Sequence, residues 1–178
     1  DLSRGRWILV DLGGGSVEVS LVDSAGILWN ESYRIGTVRL LETLSAARGC
    51  HDSLREWVGR QLRPLTIPAP DAYPGPTAFA ATGGNIEAIA KLALSYLDPL
   101  KLAILPGNRL DAVIHLLNAM TVPERIAELR MRPDRADVIL PAALVYRHFA
   151  RLAQAEHIVV PSVGVKEGVL LDVVAAGY

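Results

Sequence analysis

Residues 11 to 18 read DLGGGSVE: an aspartate closing an apolar run that begins at Trp7, then three glycines, a serine and a second carboxylate. Consecutive glycines free the backbone to take positive φ and to turn its N–H groups toward an anion with no Cβ in the way. Carboxylates flanking such a loop hold a divalent cation or orient a water. The combination predicts chemistry on a phosphate ester or anhydride. Asp11, at the strand end, is the first catalytic and metal-ligating candidate and Glu18 the second, while Gly13, Gly14, Gly15 and Ser16 are the candidate phosphate contacts.

A second constellation follows the same logic. Thr82, Gly83, Gly84 and Asn85 follow a short small-residue strand, Thr77 to Ala81, and precede Ile86, Ile89, Ala90, Ala93 and Leu94 at helical spacing. A helix N-terminus at such a corner presents unpaired N–H groups and a positive dipole end. Either glycine corner alone reads equally well as a tight turn, and Glu18 alone as a solvated strand residue. Two such corners in one chain favour a nucleotide or polyphosphate ligand. Arg135 and Asp137 suit either a surface ion pair or a positioning role at a helix start, and Lys166 and Glu167 suit solvated charges or a glycine-flanked turn. Spacing does not choose. The four histidines (His51, His115, His148 and His157) lack metal-ligand spacing, and Cys50 has no helix-start context to make it a nucleophile. The chain carries no G-x-S-x-G elbow, lysine-bearing phosphate loop or dinucleotide fingerprint.

The elements that must position these residues are legible from period and punctuation. Trp7 to Leu12 reads as a strand apolar enough to be covered on both faces, and Val17, Val19 and Leu21 alternate with Ser16, Glu18 and Ser20. Residues 23 to 26 (DSAG) make a hairpin turn with Gly26 at positive φ, before a third strand from Ile27 to Tyr33. Helices are predicted from Gly36 and from Asp52 to Leu62, the latter capped by Asp52 or Ser53. The stretch from Pro64 to Pro76 holds five prolines and is a surface connection. Beyond the second corner come a strand at Leu102 to Leu105, a helix from Asn108 or Asp111, and a helix opened by Thr121 with Pro123 and Glu124 in its first turn. One long helix kinked at Pro141 is expected from Pro133 to Ala153, then a strand at His157 to Val160 and an apolar helix ending near Ala176. A meander followed by alternating strands and helices implies an α/β arrangement: a mixed sheet, three-strand meander plus parallel strands, with helices on both faces.

Composition sets the outer limits. A chain of 178 residues, 51% apolar, buries a substantial core without staples. A net charge of −1 with mixed signs argues against a nucleic-acid or anionic-membrane footprint, so an anion must be met by local geometry. The single cysteine suits a reducing compartment, and the absence of a signal-like or spanning stretch places the expectation in the cytoplasm.

Taken together, these segments resemble the exopolyphosphatase and guanosine pentaphosphate phosphatase (Ppx/GppA) family, within the actin, hexokinase and Hsp70 superfold. WILVDLGGGSVEVSLVD is similar to the family's phosphate hairpin, ESYRIGTVRLLE to the strand and glycine-started helix after it, and ATGGNIEAIAKL to the second glycine junction. RADVILPAALV and SVGVKEGVLLDV resemble the two C-terminal blocks. The resemblance implies a ribonuclease-H-like lobe, with Asp11 and Glu18 at the phosphate and metal site and Gly13 to Ser16 with Gly83 to Asn85 lining the cleft. It further implies Mg²⁺-assisted attack of water on a terminal phosphoryl group of polyphosphate or of guanosine pentaphosphate, the latter linking it to the bacterial stringent response.

Departures from the family pattern shape the remaining expectations. Asn85 stands where a threonine is expected after the paired glycines, although an amide also donates to phosphate oxygen. The first lobe's own hairpin and general-base glutamate are not found, so residues 1–178 are expected to be a single domain, the second lobe of a two-lobe phosphatase, inactive without the N-terminal lobe. Expected partners are the phosphate substrate and that lobe, with a homodimer as a further option, and neither nucleic acid nor membrane. Two other readings share the superfold: a sugar or acetate kinase lobe, and a module that binds guanosine polyphosphates without hydrolysing them.

Overall fold

A computed structural model describes residues 5–46, 54–68, 77–94, 96–97 and 102–161. The expected cap at Asp52 or Ser53, most of the proline-rich connection, the Lys166–Glu167 turn and the last apolar helix lie outside the described residues. In chain order the elements are β1 (Arg6–Leu12), β2 (Val17–Asp23), β3 (Gly26–Tyr33), α1 (Thr37–Ala46), α2 (Leu54–Leu62), β4 (Thr77–Thr82) and α3 (Gly84–Leu92). There follow β5 (Tyr96–Leu97), β6 (Ala103–Pro106), α4 (Gly107–Ala119), α5 (Val122–Leu129), α6 (Pro133–Ala136), α7 (Ile139–Leu152) and β7 (His157–Val160). Seven strands form one mixed sheet in the order β3-β2-β1-β4-β7-β6-β5. The meander β1-β2-β3 is antiparallel, β4 runs parallel to β1 and β7 parallel to β4, as the expected mixed sheet requires. Beyond them β6 and the two-residue β5, which no sequence pattern announced, extend the sheet antiparallel. No helix among the described residues is long and apolar enough to cross a membrane.

Period-two alternation decides what each strand shows. Val17, Val19 and Leu21 are buried against the helices, and Glu18 is exposed on the other face. The turn into β3 has Gly26 at φ 130°, as expected, with the Ala25 amide donating to the Asp23 carboxylate. In β1, Ile8, Val10 and Leu12 are buried, but Leu9 is 37% exposed and Trp7 half-buried, so the described structure covers this strand less evenly than its apolar run predicts. The odd-numbered side chains face away from the main core. There, among the described residues, Trp7 and Leu102 pack beside a smaller cluster of Ala80, Ile104 and Val159.

The main core is organised by α7. Ile139, Ala142, Ala143, Val145, Tyr146 and Phe149 are fully buried on several sides of this helix, which packs against α1, α2, α3, α4 and β1. A helix apolar around its circumference belongs in the centre of a fold. The single kinked helix expected over 133–153 is instead two: α6 ends at Ala136, and α7 begins at Ile139 with Pro141 in its first turn. The reason is the proline. In a continuous helix it would withhold the bond to the Asp137 carbonyl and its ring would press on that group, so the chain breaks there and leaves Pro141 where no N–H is needed.

Arg125 anchors the short helix so created. Its guanidinium is 5% exposed and donates to the Leu117 carbonyl at 2.6 Å and the Ala136 carbonyl at 2.8 Å, tying the ends of α4 and α6 together. Its own helix is opened by Thr121, as expected, through a capping box: Thr121 accepts from the Glu124 amide while Glu124 accepts from the Thr121 amide. Helix α1 is set differently. Its start is pressed against the 13–15 glycine run, and a Cβ on Gly36 would lie 2.2 Å from Gly14 backbone atoms.

Two outcomes follow for stability. Gly36→Ala forces two backbone segments apart and is expected to cost roughly 2–3 kcal/mol in urea unfolding, whereas Gly59→Ala, in open space, should cost nothing. His148 is held below its ordinary value of 6.5 by burial, with Arg151 adding and a bond to the Leu65 backbone opposing. The unfolded chain therefore takes the proton first, so its contribution is complete above pH 6.5 and is lost as pH falls through the folded value. Unfolding midpoints measured from pH 7.5 to 5 should fall in the native protein and stay flatter in His148→Gln.

Candidate active site

The sheet register gathers the chemistry. Asp11 lies opposite Glu18 on β2 and opposite Thr82 on β4, and Glu18 lies opposite Ser32 on β3. Cross-strand partners share a face with Cβ atoms about 5 Å apart, so Ser32, Glu18, Asp11 and Thr82 form one polar row. The row sits at the carboxyl ends of β1 and β4. Because those strands are adjacent and parallel, the loops leaving them, one glycine corner each, emerge on the same side of the sheet.

The first corner is fixed by α1. The Gly13 carbonyl accepts from the Thr37 amide at 3.1 Å, the Gly14 carbonyl from the Val38 and Arg39 amides at 3.0 and 3.2 Å, and the Gly15 carbonyl from Arg39 Nε at 3.2 Å. In a trans peptide the C=O and the following N–H point opposite ways. Turning three successive carbonyls toward α1 therefore turns the N–H groups of Gly14, Gly15 and Ser16 away from it. Gly13 behaves differently from the other two glycines, since its own N–H closes the turn onto the Ser16 carbonyl at 3.0 Å. The reason for glycine here also differs from the sequence expectation. Among the described glycines positive φ occurs at Gly5, Gly26 and Gly83, not at 13–15; within the run close approach is required at Gly14, where a Cβ would crowd Val38 at 3.2 Å, while one on Gly15 would meet open space.

The second corner does use a glycine conformation. Gly83 has φ 104° and ψ 158° and caps α3 without any side-chain cap of its own. A Cβ placed on it would lie 3.5 Å from Asp11 Oδ1 and 3.8 Å from the Tyr146 hydroxyl. The second corner thus borders Asp11, which is half-buried and stands two residues before the first corner. Thr82 and Asn85 flank the corner and are half-buried as well, while Gly84 is exposed.

Glu18 is oriented by two hydroxyls. Ser16 Oγ donates to Glu18 Oε1 at 2.7 Å and Ser32 Oγ donates to the same oxygen at 2.9 Å. Both hydroxyls engage Oε1, and Glu18 stands in register beside Asp11. Among the described residues no group of three or more His, Cys, Asp or Glu comes together, so any cation here would rest on this carboxylate pair. That suits Mg²⁺, which takes one or two carboxylates and completes its shell with water and phosphate oxygens.

Sequence reasoning left Arg135 undecided and did not single out Ser32, Arg39 or Tyr146. Arg135 comes from α6, and a Cβ on Gly84 would lie 2.8 Å from its Nη2, so the guanidinium overhangs the N-terminus of α3. No ion pair with Asp137 forms among the described residues; the charge facing Asp137 is Arg125. A cation placed on a positive helix end is unfavourable unless an anion is shared between them. No local signal could have placed it, because the contact depends on where α6 breaks from α7.

Residues 2–176 match the Ppx/GppA phosphatase family. The chain is 32% identical over 154 residues to exopolyphosphatase 2 of Mycobacterium tuberculosis, covering 82% of this chain and 47% of that protein. It is 29% identical over 177 residues to exopolyphosphatase 1 of Mycobacterium bovis, covering 95% and 51%. An exopolyphosphatase structure from Cytophaga hutchinsonii superposes with a TM-score of 0.80 at 25% identity, over 97% of this chain and 58% of that one. The Aquifex aeolicus Ppx/GppA phosphatase superposes with a TM-score of 0.74 at 23% identity, over 95% and 57%. The chain spans about half the length of the curated relatives it matches. It belongs to the Ppx/GppA phosphatase family.

Proposed function

We propose that this chain is one lobe of a phosphoanhydride hydrolase that releases the terminal phosphate of inorganic polyphosphate, with guanosine pentaphosphate as the alternative substrate. The observation that carries the reading is that Asp11, at the end of the strand leading into the first glycine corner, lies against the second corner at the end of the adjacent parallel strand, with Arg135 over that second corner. Phosphoryl transfer asks chiefly for in-line positioning and for neutralising charge on the equatorial oxygens. The amides of Gly14, Gly15 and Ser16 serve one phosphoryl group, and Gly83, Gly84 and Asn85 with Arg135 serve its neighbour. Asp11 and Glu18 hold the cation, directly or through water, and Glu18, steadied by Ser16 and Ser32, also orients the attacking water. When bound there, Mg²⁺ supplies charge neutralisation at the phosphoryl oxygens.

Water attacks the terminal phosphorus, the bridging P–O bond breaks, and the shortened chain leaves with the electron pair. The other half of the cleft belongs, in this reading, to an N-terminal lobe of the same cytoplasmic protein. Family membership favours hydrolysis over the kinase and sensor readings, because phosphatase chemistry needs no acceptor other than water. Phosphate release from polyphosphate by the intact protein, with no acceptor present, is the discriminating assay against the kinase; tight binding without turnover would instead support the sensor.

In the intact protein, Asp11→Asn is expected to lower kcat by about 10²-fold or more in a Mg²⁺-supported phosphate-release assay. Turnover near that of the native protein would remove Asp11 from the mechanism. Arg135→Ala is expected to raise KM for polyphosphate about tenfold, as loss of a charged contact does. An unchanged KM would return Arg135 to a structural role.

A further inference from the structure

We propose that Tyr146 is a positioning residue of the phosphate site, its hydroxyl locking the Thr82–Gly83 peptide so that the Gly83 amide faces the cleft; this rests on the hydrolase reading above. Tyr146 lies in the middle of α7, is 0% exposed, and donates from its hydroxyl to the Thr82 carbonyl at 3.1 Å. The Ile86 backbone amide faces the same oxygen. Ile86 is the third residue of α3, one of the amides that a helix start leaves without an intrahelical partner. With no side-chain cap at Gly83, the phenol takes that place from a distant helix.

The geometry makes the hydroxyl more than a core bond. Gly83 at φ 104° lies in a region that glycine alone enters freely, and glycine tolerates either orientation of the peptide before it. The corner therefore needs something outside itself to select one orientation. Holding the Thr82 carbonyl inward, on a buried phenol, sends the Gly83 N–H outward, since the two groups of a trans peptide oppose each other. A Cβ on Gly83 would approach Asp11 Oδ1 to 3.5 Å, so the corner that the phenol fixes borders that carboxylate. Burial, first, and the nearby charge of Asp11, next, drive ionisation of the phenol well above its ordinary range, so the donor proton stays in place at any working pH. Phenylalanine would fill the same space and supply no hydroxyl.

The test uses the intact protein and tripolyphosphate. Tyr146→Phe is expected to raise KM about tenfold with kcat changed less than threefold, the loss belonging to an oriented donor. Val145→Ala, equally buried on the same helix, is expected to lower Tm while leaving KM unchanged. A folded Tyr146→Phe protein with unchanged KM, or one whose KM merely follows Tm as the control's does, overturns the proposal. Should Tyr146→Phe fail to fold, the native protein decides: the Gly83 amide proton is expected to shift on saturation with tripolyphosphate, and an unmoved resonance overturns the lock. A native protein that neither binds nor hydrolyses tripolyphosphate and longer polyphosphate overturns the hydrolase reading and this inference with it. Hydrolysis with the lock absent overturns the inference alone.

Discussion

Parallel pairing of β1 with β4 is the constraint from which the rest of the site follows. It sets Asp11 beside Thr82 and brings two glycine corners out at one edge of the sheet. An antiparallel neighbour would have sent the second corner to the far end of the strand, a sheet's width from Asp11. The antiparallel partner on the other side of β1 then contributes Glu18 in register. One strand with two neighbours of opposite sense thereby assembles carboxylates from one side and amides from the other.

Sheet register places the corners, but helices orient their amides. At the first corner the opening N–H groups of α1 hold the Gly13 and Gly14 carbonyls and the Arg39 side chain holds that of Gly15, and at the second a phenol from α7 holds the Thr82 carbonyl. In both places a carbonyl is fixed on the protein side, and planarity of the peptide aims the donor outward. Preorganisation of this kind matters because a donor aimed before the anion arrives needs no reorganisation during the reaction. Arg135 belongs to the same logic one layer out. It is carried by a single helical turn that Arg125 fastens to the end of α4, so a buried charge with carbonyl partners indirectly sets where a half-buried one stands.

Much of this was legible in the residues. Alternation gave the meander, Thr121 with Pro123 and Glu124 gave the start of α5, and glycine runs after apolar strands gave both corners. Three things were not legible, for separate reasons. β5 is two residues long, too short for any period to show. The break between α6 and α7 falls four residues before Pro141, because proline acts on the carbonyl one turn back, not at its own position. Ser32, Arg135 and Tyr146 reach the site through register and helix packing over separations of 14 residues or more from Glu18, Gly84 and Thr82, which local patterns do not encode. The glycines at 13–15 teach a further point. Their residue type was read correctly as a sign of a special loop, but of the three only Gly14 packs closely, against Val38, and the unusual dihedral sits at Gly83.

The central claim is that both corners grip one phosphate chain beside Asp11. A crystal structure of the intact protein with tripolyphosphate and Mg²⁺ addresses it directly. Phosphoryl oxygens within about 3 Å of the Gly14 or Gly15 amide and of the Gly83 or Gly84 amide, in the same bound molecule, are the expected result. A chain bound at one corner alone, or held elsewhere with both sets of amides facing bulk water, would contradict it.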